Sequence, residues 1–305
     1  MKLSLASTHP MNLSDFFSDI EILMPGSFDQ LDETQTTAPA SLVYCQNLDF
    51  LRQALQNRNV SAVITTPQLA AEIPQDQPIG VVCSKDPRLS FFTLYNKLYH
   101  KQSIRPLEPS RGHSCSIHGS AIVSASTRIG NRVEIGPGVV ISENVEIGDD
   151  VFIDANVVIG AEGLLTLRDH NGRLLRVKHA GGVRIGTGCM ILAGATIAKS
   201  LYASPTSIDA ECQVGIMSNI GHGASIGDDT VVSGNCVVAG RTKIGRSVWI
   251  GSSCSIAQGL RIGDGAQIKM GSVVVSNIAE QSIVSGNFAI AHARHVRQFL
   301  GLNSR

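Results

Sequence analysis

From Ile117 onward an aliphatic side chain returns at every sixth position: Ile117, Val123, Ile129, Ile135, Ile141, Ile147, Ile153 and Ile159. The register resumes at Ile185, Ile191 and Ile197 and runs on unbroken through Ile208, Val214, Ile220, Ile226, Val232, Val238, Ile244, Ile250, Ile256, Ile262, Ile268 and Val274. Neither the α-helix nor an ordinary strand has this period. A parallel β-helix of triangular section does, because each flat side takes six residues and turns one aliphatic side chain inward. Three sides close a coil, so residue i+18 lies above residue i at the parallel-strand spacing of about 4.8 Å. The expected fold class is mainly β: a left-handed parallel β-helix over residues 111–284, with other structure at both ends.

Glycine often follows the inward aliphatic, as at 130, 136, 148, 221, 227 and 251, which suggests that the corners fall there. The residue two places before the inward one is small. Five of the seven cysteines occupy that slot: Cys115, Cys189, Cys212, Cys236 and Cys254. They read as buried fillers rather than nucleophiles.

The remaining chain reads differently. Residues 1–105 lack the period; a helix from Leu51, strands from Ser61 and Ile79, and a helix over Pro87–His100 suggest a small α/β domain. Lys101–His113 carries Pro106, Pro109 and Gly112 and reads as a linker. An insertion at 161–184 interrupts the register, and its His-Asn-Gly between apolar runs signals a hairpin. Residues 287–305 form a basic C-terminal helix with Arg294 and Arg297. A basic terminal helix suits an acidic partner or simply caps the last coil.

Formal net charge is zero, against a nucleic-acid partner held by bulk charge. No run approaches the roughly 18 apolar residues of a membrane span. The N-terminus has no sustained apolar segment, and the cysteines show no CxxC spacing. A cytoplasmic protein is expected.

Left-handed β-helices of this kind are commonly acyltransferases, an association that a site has to support. His222 is the one histidine in the run from Ile208 to Val274. Two places after inward Ile220, it should project outward, with Gly240 one coil above. An imidazole there can take a proton from an attacking amine or hydroxyl, and a glycine amide can hold an oxyanion. An ordinary surface histidine is the alternative. His113 and His118 lack a third ligand, so no metal site is expected.

Several segments resemble the UDP-3-O-acylglucosamine N-acyltransferases of lipid A biosynthesis. The similar stretches are LVYCQNLDFLRQAL, SAVITTPQLA and DPRLSFFTLYNKLY in the first domain. VEIGPGVVI, GAEGLLTL to HAGGVRIG, NIGHGASIGDDTVVSGNCVVAG and SGNFAIAHARHVRQFLGL are the others. Flat exposed sides and an outward histidine that needs walls lead to the expectation of a homotrimer with His222 in a groove between subunits. The reaction that the resemblance implies moves a 3-hydroxyacyl group from acyl carrier protein to the 2-amino group of a UDP-linked glucosamine. No cofactor is implied beyond the phosphopantetheine that arrives on the carrier. The resemblance implies His222 as general base, the Gly240 amide as oxyanion donor, Asn47 at the uracil edge, and Tyr44 and Phe50 as stacking aromatics. Arg294 and Arg297 would meet the carrier. This sequence departs from the family pattern at Gly215, where an Asp is usual, and at Gly259, where a second His is usual. Ala198-Lys199-Ser200 replaces an Asp-Arg-Gly. An acetyl-CoA-dependent sugar acetyltransferase and a noncatalytic scaffold are the other functions this sequence accommodates.

Overall fold

The computed structural model describes residues 10–100, 107–202, 204–286 and 292–299. Three parallel sheets form the sides of a prism. The first side runs from Ser110–Arg111 to Arg261–Ile262, the second from Ser116–Ile117 to Ile283–Val284, and the third from Ile122–Val123 to Val273–Val274. The stacking rule holds where the period is unbroken: Ile135 pairs with Ile153, Ile220 with Val238, and Ile226 with Ile244. The inward aliphatics and the small residues before them fill one continuous core. Cys189, Cys212, Cys236 and Cys254 are buried in it with free thiols, and Cys115 is half-buried.

The corners differ from the sequence expectation. The left-handed backbone falls three places after the inward residue, as at Asn144 (φ 60°), Asn156 (φ 58°) and Asn235 (φ 57°). The glycine immediately after the aliphatic mostly serves close packing instead. A Cβ on Gly221 would sit 2.5 Å from the backbone nitrogen of Gly240 in the next coil. Short polar side chains adopt the left-handed region more easily than most, which explains the asparagines.

The prism is broken twice. Residues between Ala161 and Val183 leave it as a hairpin, with Thr166–Arg168 antiparallel to Leu174–Arg176. A second, shorter excursion lies between Ala198 and Thr206, so that Ile197 pairs with Ile220 rather than with the residue 18 places on. The eleven-residue gap from Ile197 to Ile208 is its sequence signal.

The N-terminal region forms a five-stranded sheet in the order Glu21–Met24, Gly80–Cys83, Val60–Thr65, Ser41–Cys45, Gln30–Leu31. Only the first pair is antiparallel. Helices Leu48–Gln56 and Pro87–His100 accompany it. Both excursions of the β-helix pack into its core: Val177, Ala180, Leu201 and Tyr202 join Phe28, Phe91, Phe92 and Tyr95. The Tyr95 hydroxyl donates to the Leu201 carbonyl and accepts from the Ala180 amide at 3.0 Å. Asn96 bonds the Arg176 carbonyl at 2.9 Å and the Lys178 amide at 3.2 Å. These bonds fix the small domain beside one corner of the prism.

Of the C-terminal tail, the helix His292–Phe299 is described. Arg294 is exposed on it; the side chain of Arg297 lies outside the described residues, as do residues 287–291 and 300–305. Residues 101–106 of the expected linker lie outside them as well. Among the described residues no helix is long and apolar enough to cross a membrane.

Candidate functional site

His222 stands at the corner where the third side turns into the first, just after the strand Asn219–Ile220. The turn is locked by two bonds. Gly223, with a left-handed φ of 68°, donates its N–H to Thr206 Oγ1 at 2.8 Å, and the His222 carbonyl accepts from Arg241 N at 2.9 Å. The imidazole lies directly under Gly240, where a Cβ would come within 2.7 Å of Nε2. Only glycine leaves room for the ring. Among the described residues the Gly240 N–H meets no backbone acceptor.

This corner opens into a cavity of about 430 Å³ between the prism and the small domain of the same chain. The prism contributes His222, Arg241, Lys243, Gly259 and Arg261; the small domain contributes Asp32, Glu33, Tyr44, Gln46, Phe50 and Gln53. The second excursion supplies Ser200, Leu201 and Tyr202 to the wall between them. Tyr44 is anchored by Phe91 and Phe92, at centroid distances of 5.1 and 5.7 Å, whereas Phe50 is 47% exposed. Asn47 caps helix Leu48–Gln56, its Oδ1 accepting from the Phe50 N–H at 2.9 Å, and Gln46 beside it lines the cavity.

Charges around the cavity are partly paired. Arg241 reaches Glu33 at 3.8 Å and lies 5.8 Å from the Tyr202 ring centroid. Burial pushes the Asp32 carboxyl up to about 6, against the bond it accepts from Thr36 Oγ1 at 2.6 Å. For His222, burial first, then His179 and Arg241, lower the pKa to about 4. The ring is therefore neutral at pH 7 and free to accept a proton.

Behind His222 lies a group that the sequence pattern did not reveal. His179, from the first excursion, is fully buried, and its ring meets that of His222 at 5.0 Å between centroids and 70° between planes. Its Nδ1 is 3.7 Å from Glu162 Oε2. Glu162 Oε1 is 3.1 Å from the buried Lys199 ammonium, which also lies 3.5 Å from Glu143. Burial works to raise the Glu162 pKa, but His179 and Lys199 prevail and hold it down to about 2. The signal for this cluster was the pair of register breaks, since Glu162 and His179 come from one and Lys199 from the other.

The positions of departure are also clear in space. Gly215 follows Val214 on the second side, so a whole side of the prism separates it from His222 within the chain. Gly259 lies two coils above the His222 turn with a φ of 74° and nothing within 4 Å of an added Cβ, leaving the cavity open there.

The repeats match the bacterial transferase hexapeptide model over residues 126–161 and 241–276, and the hexapeptide repeat of succinyl-transferase over 205–239. No curated protein matches the chain. Among solved structures, a UDP-N-acetylglucosamine acyltransferase from Campylobacter jejuni is 23% identical over 59% of this chain and 68% of its own, with a TM-score of 0.51. The UDP-N-acetylglucosamine O-acyltransferase of Moraxella catarrhalis is 25% identical over 64% of this chain and 78% of its own, with a TM-score of 0.44. Period, side-to-side stacking, the repeat models and the Campylobacter jejuni fold agree that the body of the chain is a left-handed β-helix of the hexapeptide repeats found in bacterial transferases.

Proposed function

We propose that the chain is an acyltransferase whose cavity holds a nucleotide-linked amino sugar while His222 and Gly240 carry out the transfer. The observation that supports this most is the neutral, outward imidazole under an unpaired glycine amide, inside a cavity walled by aromatic and basic side chains. The acceptor amine attacks the carbonyl carbon of an acyl thioester. His222 Nε2 takes the amine proton, and the Gly240 N–H holds the oxyanion. The intermediate collapses with loss of the thiolate, which takes the proton from His222; an amide and a free thiol result. A hydroxyl acceptor would follow the same course to an ester. Tyr44 and Phe50 offer flat apolar faces to a uracil ring, and Arg241 offers positive charge to a diphosphate.

We take the donor to be acyl carrier protein, an acidic partner for the tail that holds Arg294 and Arg297. Acyl-CoA is the second reading, favoured by Lys243 and Arg261, which line the cavity where donor phosphates would pass. We also propose a cytoplasmic homotrimer. Its support is the exposed apolar residues on the second and third sides, Trp249, Val237 and Val273, against Arg184, Lys243 and Arg261 on the first. A monomer mass by light scattering at micromolar concentration would refute the trimer.

The central test is thiol release with a UDP-linked amino sugar as acceptor and either acyl carrier protein or CoA as donor. Release above background with the carrier and not with CoA is expected, and it should vanish without the acceptor. Release from neither donor removes the reading. Calorimetry should show UDP heat that is lost in Phe50→Ala, and equal heat in that variant would place the nucleotide elsewhere.

A further inference from the structure

The Nδ1 atom of His222 is buried and has no hydrogen-bond partner among the described residues. The same holds for both ring nitrogens of His179. Unpaired buried polar atoms are costly, and a cluster of three in one ring contact calls for an explanation. His222 must keep a lone pair on Nε2, beneath Gly240, to act as a base there. The neutral ring must then carry its proton on Nδ1, the buried nitrogen on the far side of the ring. The ring packed against His222 is that of His179, at 70°, with Glu162 beyond it. A steep interplanar angle suits an N–H of one ring directed at the face of the other.

His179 is itself tightly set. A Cβ on Gly163 would come within 2.4 Å of its Nε2, so the first excursion folds its own glycine onto the ring. Its backbone N–H also reaches Glu162 Oε2 at 3.4 Å. Lys199, from the second excursion, holds the Glu162 carboxylate in place. The two breaks in the prism thus converge on the back of one histidine, although no carboxylate touches that histidine directly.

We propose that His179 is a positioning residue that receives the Nδ1–H of His222 and, through Glu162, fixes His222 in the tautomer with a free Nε2. This rests on the acyl-transfer reading for its purpose, while its physical content is a statement about one proton. When Nε2 takes the substrate proton, the new imidazolium faces His179 and the Glu162 charge behind it rather than an apolar wall. The column occupies the position in which a base is ordinarily oriented by a third group.

The test is nitrogen NMR of the full chain with labelled histidine, the His222 signals being identified by their loss in His222→Ala. The parent chain should show neutral His222 mainly as the Nδ1–H tautomer at pH 7. His179→Leu keeps the apolar bulk and loses both the ring face and its nitrogens. It should move His222 mainly to the Nε2–H form, which is the ordinary preference of a free imidazole. Glu162→Gln should move it part of the way, and serves equally if His179→Leu does not fold. Transfer should fall about 10- to 100-fold in kcat with KM within about twofold, the signature of an interaction made in the transition state. An unchanged tautomer in the folded variants would overturn the proposal, whatever the rate. The expected tautomers in a chain that transfers no acyl group would uphold the positioning role and remove the acyl-transfer reading instead.

Discussion

The coils from Ile208 to Val274 and the coils that hold the two excursions obey one stacking rule, yet they do different work. In the first region each aliphatic sits on another aliphatic, as Ile226 on Ile208 and beneath Ile244. Its buried cysteines and threonines give their polar hydrogens to nearby backbone carbonyls, as Cys212 Sγ does to the Gly227 carbonyl at 3.1 Å. In the second region the backbone leaves the prism and returns with Glu162, His179, Lys199 and Tyr202, polar groups that no six-residue side has room to bury. Repetition makes a rigid platform, and the departures from repetition make the chemistry. His222 and Gly240 belong to the regular coils. They become a site only because the irregular segments wall one corner and tie the small domain beside it.

The sharpest way to break this comparison is to remove the one group that both regions share. His222→Ala should leave the melting temperature nearly unchanged and lower acyl transfer by about 10²–10⁴-fold, the range for a positioned base. Retention of more than half the activity would show that the corner is not the reacting centre. The opposite change strikes the platform alone. Ile226 is fully buried, and Ile226→Ala should cost about 2–5 kcal/mol in denaturant unfolding while the surviving folded molecules keep their turnover. A selective loss of turnover in that variant would mean that the coils are not the passive scaffold described here.

Glycine positions sharpen the same contrast. Gly240→Ala places a methyl group within 2.7 Å of His222 Nε2 and should push the ring aside, lowering kcat by about 10²-fold, as a displacement of roughly 1 Å can. Gly259→Ala, with open space around its Cβ, meets only the left-handed backbone penalty of about 1–2 kcal/mol. Equal activity in the two variants would detach Gly240 from the site.

The last expected effect is on pH. The His222 pKa falls from 6.5 to about 4 on folding, so between those values the unfolded chain binds the extra proton. Stability from this group is fully present above about 6.5 and is lost as pH falls toward 4. His222→Ala should flatten the stability curve in that window. Asp32 works in reverse. Its pKa rises from 3.8 to about 6, so its contribution declines as pH climbs between those values, and Asp32→Asn should remove the decline. Parallel curves for parent and variant would deny the burial on which both shifts depend.

Much of this was legible in the chain. The six-residue period gave the prism, and adding 18 to 222 gave Gly240 above the imidazole, because coil stacking is a nearest-neighbour rule. The hairpin of the first excursion followed from His-Asn-Gly between apolar runs. The corner torsions were misplaced by two residues, since a glycine needed for close approach and a glycine needed for left-handed backbone look alike in sequence. Asn47, read as a ligand contact, also serves as a helix cap, a use that its position just before Leu48 announces.

By itself the sequence determined the periodic part of this protein: which side chains point inward, which lie one above another, and where the rule fails. The reason is physical. A β-helix is held by contacts between residues at a fixed separation, so its packing can be counted along the chain. Only the tertiary structure decided what the failures are for. His179 lies 43 residues from His222, and Glu162 lies 37 from Lys199. Their meeting depends on two excursions folding against Tyr95 and the rest of a separate domain. Contacts of that kind arise from shape and burial across elements, and no period records them.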